Sequence, residues 1–203
     1  MIRAFLALNI NNIEKEKILL IIRKCQVHYN DIIKWVEDNN LHFTYLFLGD
    51  IKESDVKTII KILNDFERDL KVLDLNEYET KICFNNIHSP KILWLEYKAF
   101  KSTLKELDFF KKTRDSLIQK INSKLPYLDL LKETKPLKIH LTLGRVKYNT
   151  QQNKIKEIPE DLQKSLDNLN IKPILNKMSL IQSTLTPDGP VYKELYTINL
   201  NNN

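Results

Sequence analysis

LHFTYLFLG (Leu41–Gly49) and IHLTLGRV (Ile139–Val146) are two apolar, strand-like runs built on one pattern. Each carries a histidine, an apolar residue and a threonine, and each closes near a glycine. Side chains on a strand alternate between its faces. His42 and Thr44 therefore share one face while Phe43 takes the other. His140 and Thr142 share a face in the same way, opposite Leu141. Two such strands side by side would place two imidazoles and two hydroxyls in one cleft. The chain has only 3 glycines, Gly49, Gly144 and Gly189, and two of them close these runs. Glycine suits a backbone that must bend or admit a close neighbour.

Working outward, residues 3–9 read as a first strand. Residues 13–37 have mostly helical periodicity, with Ile18, Leu19, Ile22, Ile32, Ile33 and Val36 as inward positions. After the first H-x-T strand, Ser54 is the expected N-cap of a helix carrying Val56, Ile59, Ile60, Leu63, Phe66 and Leu70. Strands are expected near 79–85 and 91–97 around a turn at His88-Ser89-Pro90. A third helix is expected over 100–124, ended by Pro126. The second H-x-T strand follows at 137–146, then an exposed Lys/Asn-rich loop at 147–157. A short helix from Pro159 and a strand pair over 176–185 and 190–199 complete the order. Asn201 to Asn203 read as frayed. Each H-x-T strand follows a helix and sits in its own half. No Ser/Gly/Pro-rich linker separates the halves, so residues 1–203 are expected to form one two-lobed α+β domain.

Composition narrows the class. With 42% hydrophobic and 29% charged residues the chain suits a soluble protein with a sizeable core. The net charge of +6 favours an anionic partner. Two cysteines, Cys25 and Cys83, are too few for a disulfide framework and read as reduced thiols in a cytoplasmic protein. The start, MIRAFLALNI, reads as a strand rather than a signal peptide. No apolar run reaches the length of a membrane span.

Two imidazoles in one cleft suit general acid–base chemistry, because one can be neutral while the other is protonated. Displacement at phosphorus with an alkoxide leaving group fits best. Thr44 and Thr142 can donate to phosphate oxygens, and Arg145 offers a guanidinium fork suited to phosphate. Arg145 lies an odd number of positions from His140. An ideal strand would send it to the opposite face, so its use requires a bend or bulge at Gly144. A zinc site would need three or four ligands; the flanks supply hydroxyls and apolar groups, with Asp50 the only nearby carboxylate. Nothing marks Cys25 or Cys83 as an activated thiol. His28 reads as exposed and His88 as a turn residue. Trp35 and Trp94 read as core or lobe-packing residues. Phe5 and Tyr192 are candidates to stack on a base, and Ser183 to line the cleft.

With these residues the chain resembles the two-histidine (2H) phosphoesterases, and within them the RNA 2′,3′-cyclic phosphodiesterases, also called 2′-5′ RNA ligases. The likeness rests on RAFLAL (3–8), LHFTYLFLG, PKILWL (90–95), IHLTLGRV and STLTPDGPVY (183–192). It implies a bilobal α+β fold in which two antiparallel sheets face a central cleft, with helices outside and no metal or cofactor. It implies hydrolysis of 2′,3′-cyclic phosphate at RNA 3′ ends, or of nucleoside 2′,3′-cyclic phosphates, to the 2′-phosphate, with 2′-5′ ligation as the reverse reaction. On this likeness His42 would protonate the departing 3′ oxygen and His140 would activate water. Thr44, Thr142 and Arg145 would hold the phosphate, and Phe5 would meet the base. Tyr45 stands where the family commonly has leucine and should face away from the cleft. The cysteine usage reads as cytoplasmic, and since nothing in the sequence demands a dimer a monomer is expected. The alternative reading is a 2H-like domain that binds RNA or a nucleotide without turning it over.

Overall fold

The computed structural model describes residues 1–84, 90–132, 137–149, 154–155, 160–166, 171–187 and 189–201. The elements run β1 (Ile2–Leu8), α1 (Asn12–Tyr29), β2 (Ile33–Trp35), β3 (Phe43–Ile51), α2 (Val56–Phe66), β4 (Leu73–Asp74), β5 (Tyr78–Phe84), β6 (Ile92–Ala99), α3 (Leu104–Lys124), β7 (Ile139–Val146), β8 (Tyr148–Asn149), β9 (Lys154–Ile155), α4 (Glu160–Leu166), β10 (Ile174–Leu175), β11 (Lys177–Thr186) and β12 (Gly189–Asn199).

Among the described residues, eight strands form one antiparallel array in the order β12-β11-β1-β3-β7-β6-β5, with β2 also paired to β7. The array has two halves. β12, β11, β1 and β3 make one; β2, β7, β6 and β5 make the other. The expected two sheets are these halves, and a single pair, Phe43 with Leu141, joins them at the seam between β3 and β7. One face of the array is apolar. Ala4, Leu6 and Leu8 of β1, Leu46 and Leu48 of β3, Leu93 and Leu95 of β6, and Leu141 and Leu143 of β7 enter one core with residues of all four helices. Ile18, Leu19 and Ile22 pack there from α1, Ile59 and Leu63 from α2, and Leu117 and Ile121 from α3. Tyr45 turns away from the cleft, as expected, and its hydroxyl donates to the Phe110 carbonyl of α3 at 3.0 Å.

Most local readings hold in type, while several shift in extent or change. Asn11 caps α1 by accepting from the Glu14 amide at 2.9 Å. α1 ends at Tyr29, well short of residue 37. Ile33 and Trp35 instead bury themselves on a short strand against Val146 and Gly144, because alternation suits that edge better than another helical turn. α2 is capped from Asp55 without a side-chain bond, and Ser54 lies in the preceding 3-10 turn. In the expected loop 147–157, Tyr148–Asn149 pairs with Lys154–Ile155 as a small hairpin. Asn201 is not frayed: its amide donates to the Leu70 carbonyl at 3.0 Å and its side chain to the Glu67 carbonyl at 2.7 Å. His88 lies outside the described residues.

Gly144 is where β2 crosses close to β7. A Cβ there would come within 2.5 Å of the Ile33 side chain and 3.1 Å of the Lys34 carbonyl oxygen. What approaches this glycine is therefore a neighbouring strand. Gly49 has a different reason: its φ of +73° is left-handed and favours glycine. It lies beside the register shift where β3 bulges against β1. Gly144→Ala should lower stability by about 1–3 kcal/mol through overpacking. Thermal unfolding measures it; an unchanged Tm would contradict the crossing as the reason for this glycine.

Candidate active site

The seam sets the site. Phe43 and Leu141 pair across it and point into the core. His42 and Thr44 flank Phe43, and His140 and Thr142 flank Leu141, so strand alternation turns all four to the face opposite the core. The two histidines are close enough that the charge of His140 is felt at His42. The expected pairing of the two tripeptides in one cleft follows from this register.

Each imidazole is held by its own backbone. His42 Nδ1 lies 2.8 Å from the Asn40 carbonyl oxygen and His140 Nδ1 lies 3.0 Å from the Lys138 carbonyl oxygen. A carbonyl only accepts, so Nδ1 carries the proton in both rings. Nε2 is left as the working nitrogen of each, turned from its own main chain. In the neutral His42 ring, Nε2 accepts from the Thr44 hydroxyl at 3.1 Å. The contact two residues upstream repeats in the two halves.

The surroundings do not repeat. His42 is half-buried among rings: Phe5 at 4.8 Å, and Tyr192 edge-on at 5.3 Å, with Phe5 and Tyr192 themselves 5.2 Å apart. Burial pushes its pKa down to about 4, the Asn40 carbonyl opposes that, and the charge of nearby His140 lowers it further. His140 lies against one ring, Trp94 at 5.3 Å. Trp94 shares the cleft face of β6 with Ile92 and Glu96, so of its two readings, core or lobe-packing, the first does not hold. The other tryptophan, Trp35, is buried as expected.

Arg145 reaches the cleft face by the bulge its use requires. Leu93 pairs with Gly144 but Trp94 pairs with Thr142, so Leu143 is an extra residue on β7. Alternation resumes one place late, and Arg145 pairs with Ile92 on the face that carries Trp94. Its charge is felt at the Tyr192 phenol, as is that of Arg3; both oppose the burial that raises this group.

Phe5 is only 3% exposed and lies beneath His42, so its ring backs the imidazole. The exposed ring on this face is Phe47, 56% accessible, 6.0 Å from Phe5. Ser183 lies on the same face as a neighbour of Arg3, opposite Tyr192. The Cys83 thiol is pushed up by burial and by a hydrogen bond to Glu96, which keeps it protonated. His28 is exposed, on the last turn of α1. Among the described residues no three His, Cys, Asp or Glu side chains gather as a metal site, and no helix is long and apolar enough to cross a membrane.

Two functional candidates lie outside the H-x-T repeats. Asn40 holds His42 through its carbonyl, and its side-chain amide donates to the Pro190 carbonyl at 2.9 Å. It thereby ties the loop before β3 to the hairpin that bears Tyr192. Arg3 reads in the sequence as an ordinary strand residue; its even spacing from Phe5 is the available signal.

The sequence profile described as LigT-like phosphoesterase matches residues 15–81. A Methanocaldococcus jannaschii protein named RNA 2′,3′-cyclic phosphodiesterase is 32% identical over 199 residues, 94% of this chain and 96% of that protein. A Thermotoga maritima protein of the same name is 26% identical over 202 residues, 96% of this chain and 93% of that protein. A crystal structure from Thermus thermophilus superposes with a TM-score of 0.69 at 19% identity, covering 98% of each chain. Escherichia coli LigT complexed with 3′-AMP superposes with a TM-score of 0.64 at 16% identity, again over 98% of each. At such identities the structures speak to the fold.

His42 in the free protein should titrate near 4 rather than at the ordinary 6.5, followed by histidine-ring NMR. Between those values the folded protein holds fewer protons at this ring than the unfolded chain. Stability should therefore fall as pH drops through that window. Asn40→Ala, which frees the hairpin from the loop, should move the midpoint upward as the ring gains solvent. A midpoint near 6.5 in the unaltered protein would contradict the burial argument.

Proposed function

This chain belongs to the LigT-like, two-histidine phosphoesterases, the family of the RNA 2′,3′-cyclic phosphodiesterases, and from that premise we propose that it opens 2′,3′-cyclic phosphates at RNA 3′ ends to leave 2′-phosphates. The observation that carries this reading is the seam, where two histidines with identically fixed Nδ1 protons lie on one face beside two threonines. Residues 1–203 act as one bilobal domain in this reading, with the cleft between its halves.

In the reaction, His140 Nε2 takes a proton from water as the water oxygen bonds to phosphorus. The bond from phosphorus to the 3′ oxygen breaks, and His42 Nε2 delivers a proton to that oxygen. The product carries a 2′-phosphate and a 3′ hydroxyl. Thr44, Thr142 and Arg145 hold the non-bridging oxygens, where negative charge grows in the transition state. Phe5 keeps the His42 ring in place from behind. No step calls on a metal.

The order of protonation follows from the burial of His42. The ring is neutral in the free protein at neutral pH, with Thr44 on its Nε2. A phosphate in the cleft brings negative charge to Nε2 and draws the Thr44 hydroxyl onto itself. His42 then takes up the proton that it later gives to the leaving oxygen. Binding of a phosphate monoester therefore gains a proton and should tighten as pH falls from about 7 toward about 5. Calorimetry with adenosine 2′-monophosphate measures this; affinity that ignores pH would exchange the roles of the two histidines.

His42→Ala and His140→Ala should each lower kcat by roughly 10²–10⁴-fold on adenosine 2′,3′-cyclic phosphate, with the fold retained by circular dichroism. EDTA should leave the wild-type rate unchanged. Undiminished turnover by the double variant would remove acid–base catalysis at this site. Binding without product in the wild type would favour a nucleotide-binding domain instead.

A further inference from the structure

Arg3 plays no part in the chemistry above, yet it stands on the cleft face. Ala4, Leu6 and Leu8 of β1 enter the core, so Arg3, Phe5 and Ala7 share the opposite side. Phe5 supports His42 at 4.8 Å. Arg3 is exposed and lies one same-face step further along the strand, about 6.6 Å away at Cα.

Its neighbours across the sheet are Asp50 on β3 and Ser183 on β11, and Ser183 in turn faces Tyr192 on β12. The Tyr192 phenol feels both Arg3 and Arg145. A half-buried aromatic ring thus lies within electrostatic reach of two guanidiniums, Arg145 serving the reacting phosphate and Arg3 on β1 of the other half. Two cations near one partly open ring suit a single strand, which binds through charge to its backbone and stacking of its bases. A mononucleotide cyclic phosphate has no second phosphate to offer Arg3.

We propose that Arg3 forms a second phosphate subsite, taking the phosphodiester on the 5′ side of the reacting nucleotide, so that the favoured substrate is an RNA 3′ end rather than a free nucleotide. This rests on the phosphodiesterase reading and adds a contact which that reading does not require. Asp50 beside Arg3 tempers the local charge, so the subsite accepts a singly charged diester.

The test compares adenosine 2′,3′-cyclic phosphate with the dinucleotide ApA ending in a 2′,3′-cyclic phosphate, in wild type, Arg3→Gln and Arg3→Lys. The wild type should prefer the dinucleotide in kcat/KM by about tenfold or more, the scale of one charge-assisted phosphate contact. Arg3→Gln should lose most of that preference through KM, while turnover of the mononucleotide stays within about twofold. Arg3→Lys should keep part of it. The salt dependence of dinucleotide binding should weaken by about one phosphate contact in Arg3→Gln. Equal losses on both substrates, or no wild-type preference, would overturn the subsite. Calorimetry with adenosine 2′-monophosphate and ApA 2′-phosphate gives the same comparison without turnover. Should the wild type hydrolyse neither cyclic phosphate, the hydrolytic reading fails, and the binding comparison still decides the subsite.

Discussion

The pairing of Phe43 with Leu141 is the contact on which the rest depends. It is the only rung between β3 and β7 among the described residues, and it joins two half-sheets that are otherwise laddered within themselves. Both side chains point into a common core with helices from each half. Their burial fixes the register, because a slip by one residue would send every apolar side chain of the strand to the wrong face. The same register turns His42, Thr44, His140 and Thr142 outward together. Apolar packing on one side of the seam thus positions polar chemistry on the other.

The two H-x-T strands repeat one device, a carbonyl two residues upstream that fixes Nδ1, and then diverge. Phe5 and Tyr192 enclose the first ring, while Trp94 flanks the second. Burial among these rings holds the His42 pKa down, so the first ring is neutral in the free protein at neutral pH. The enclosure depends on Asn40, whose amide holds the hairpin that carries Tyr192.

Much of this is legible in the chain. The H-x-T repeats carry their own strand pattern, so the paired site can be read from period-two alternation, and the odd spacing of Arg145 requires the bulge at Gly144. What cannot be read depends on contacts distant in sequence. Ile33 and Trp35 continue a helical pattern locally and become a strand because β7 offers them an edge. Trp94 can be read as core or as lobe packing until the register with Thr142 puts it on the cleft face. Phe5 and Tyr192 look alike as stacking candidates, but only the sheet order places Phe5 beneath His42 and leaves Tyr192 partly open. Asn40 acts through its main chain and a bond 150 residues away, which no local pattern signals.

The central claim is spatial: two imidazoles from separate halves converge on one phosphoryl group. A crystal structure with adenosine 2′-monophosphate tests it most directly. The account predicts the phosphate over the seam, with His42 Nε2 and His140 Nε2 each within about 3 Å of its oxygens and Arg145 alongside. A phosphate bound elsewhere, or touching only one of the two rings, would contradict it.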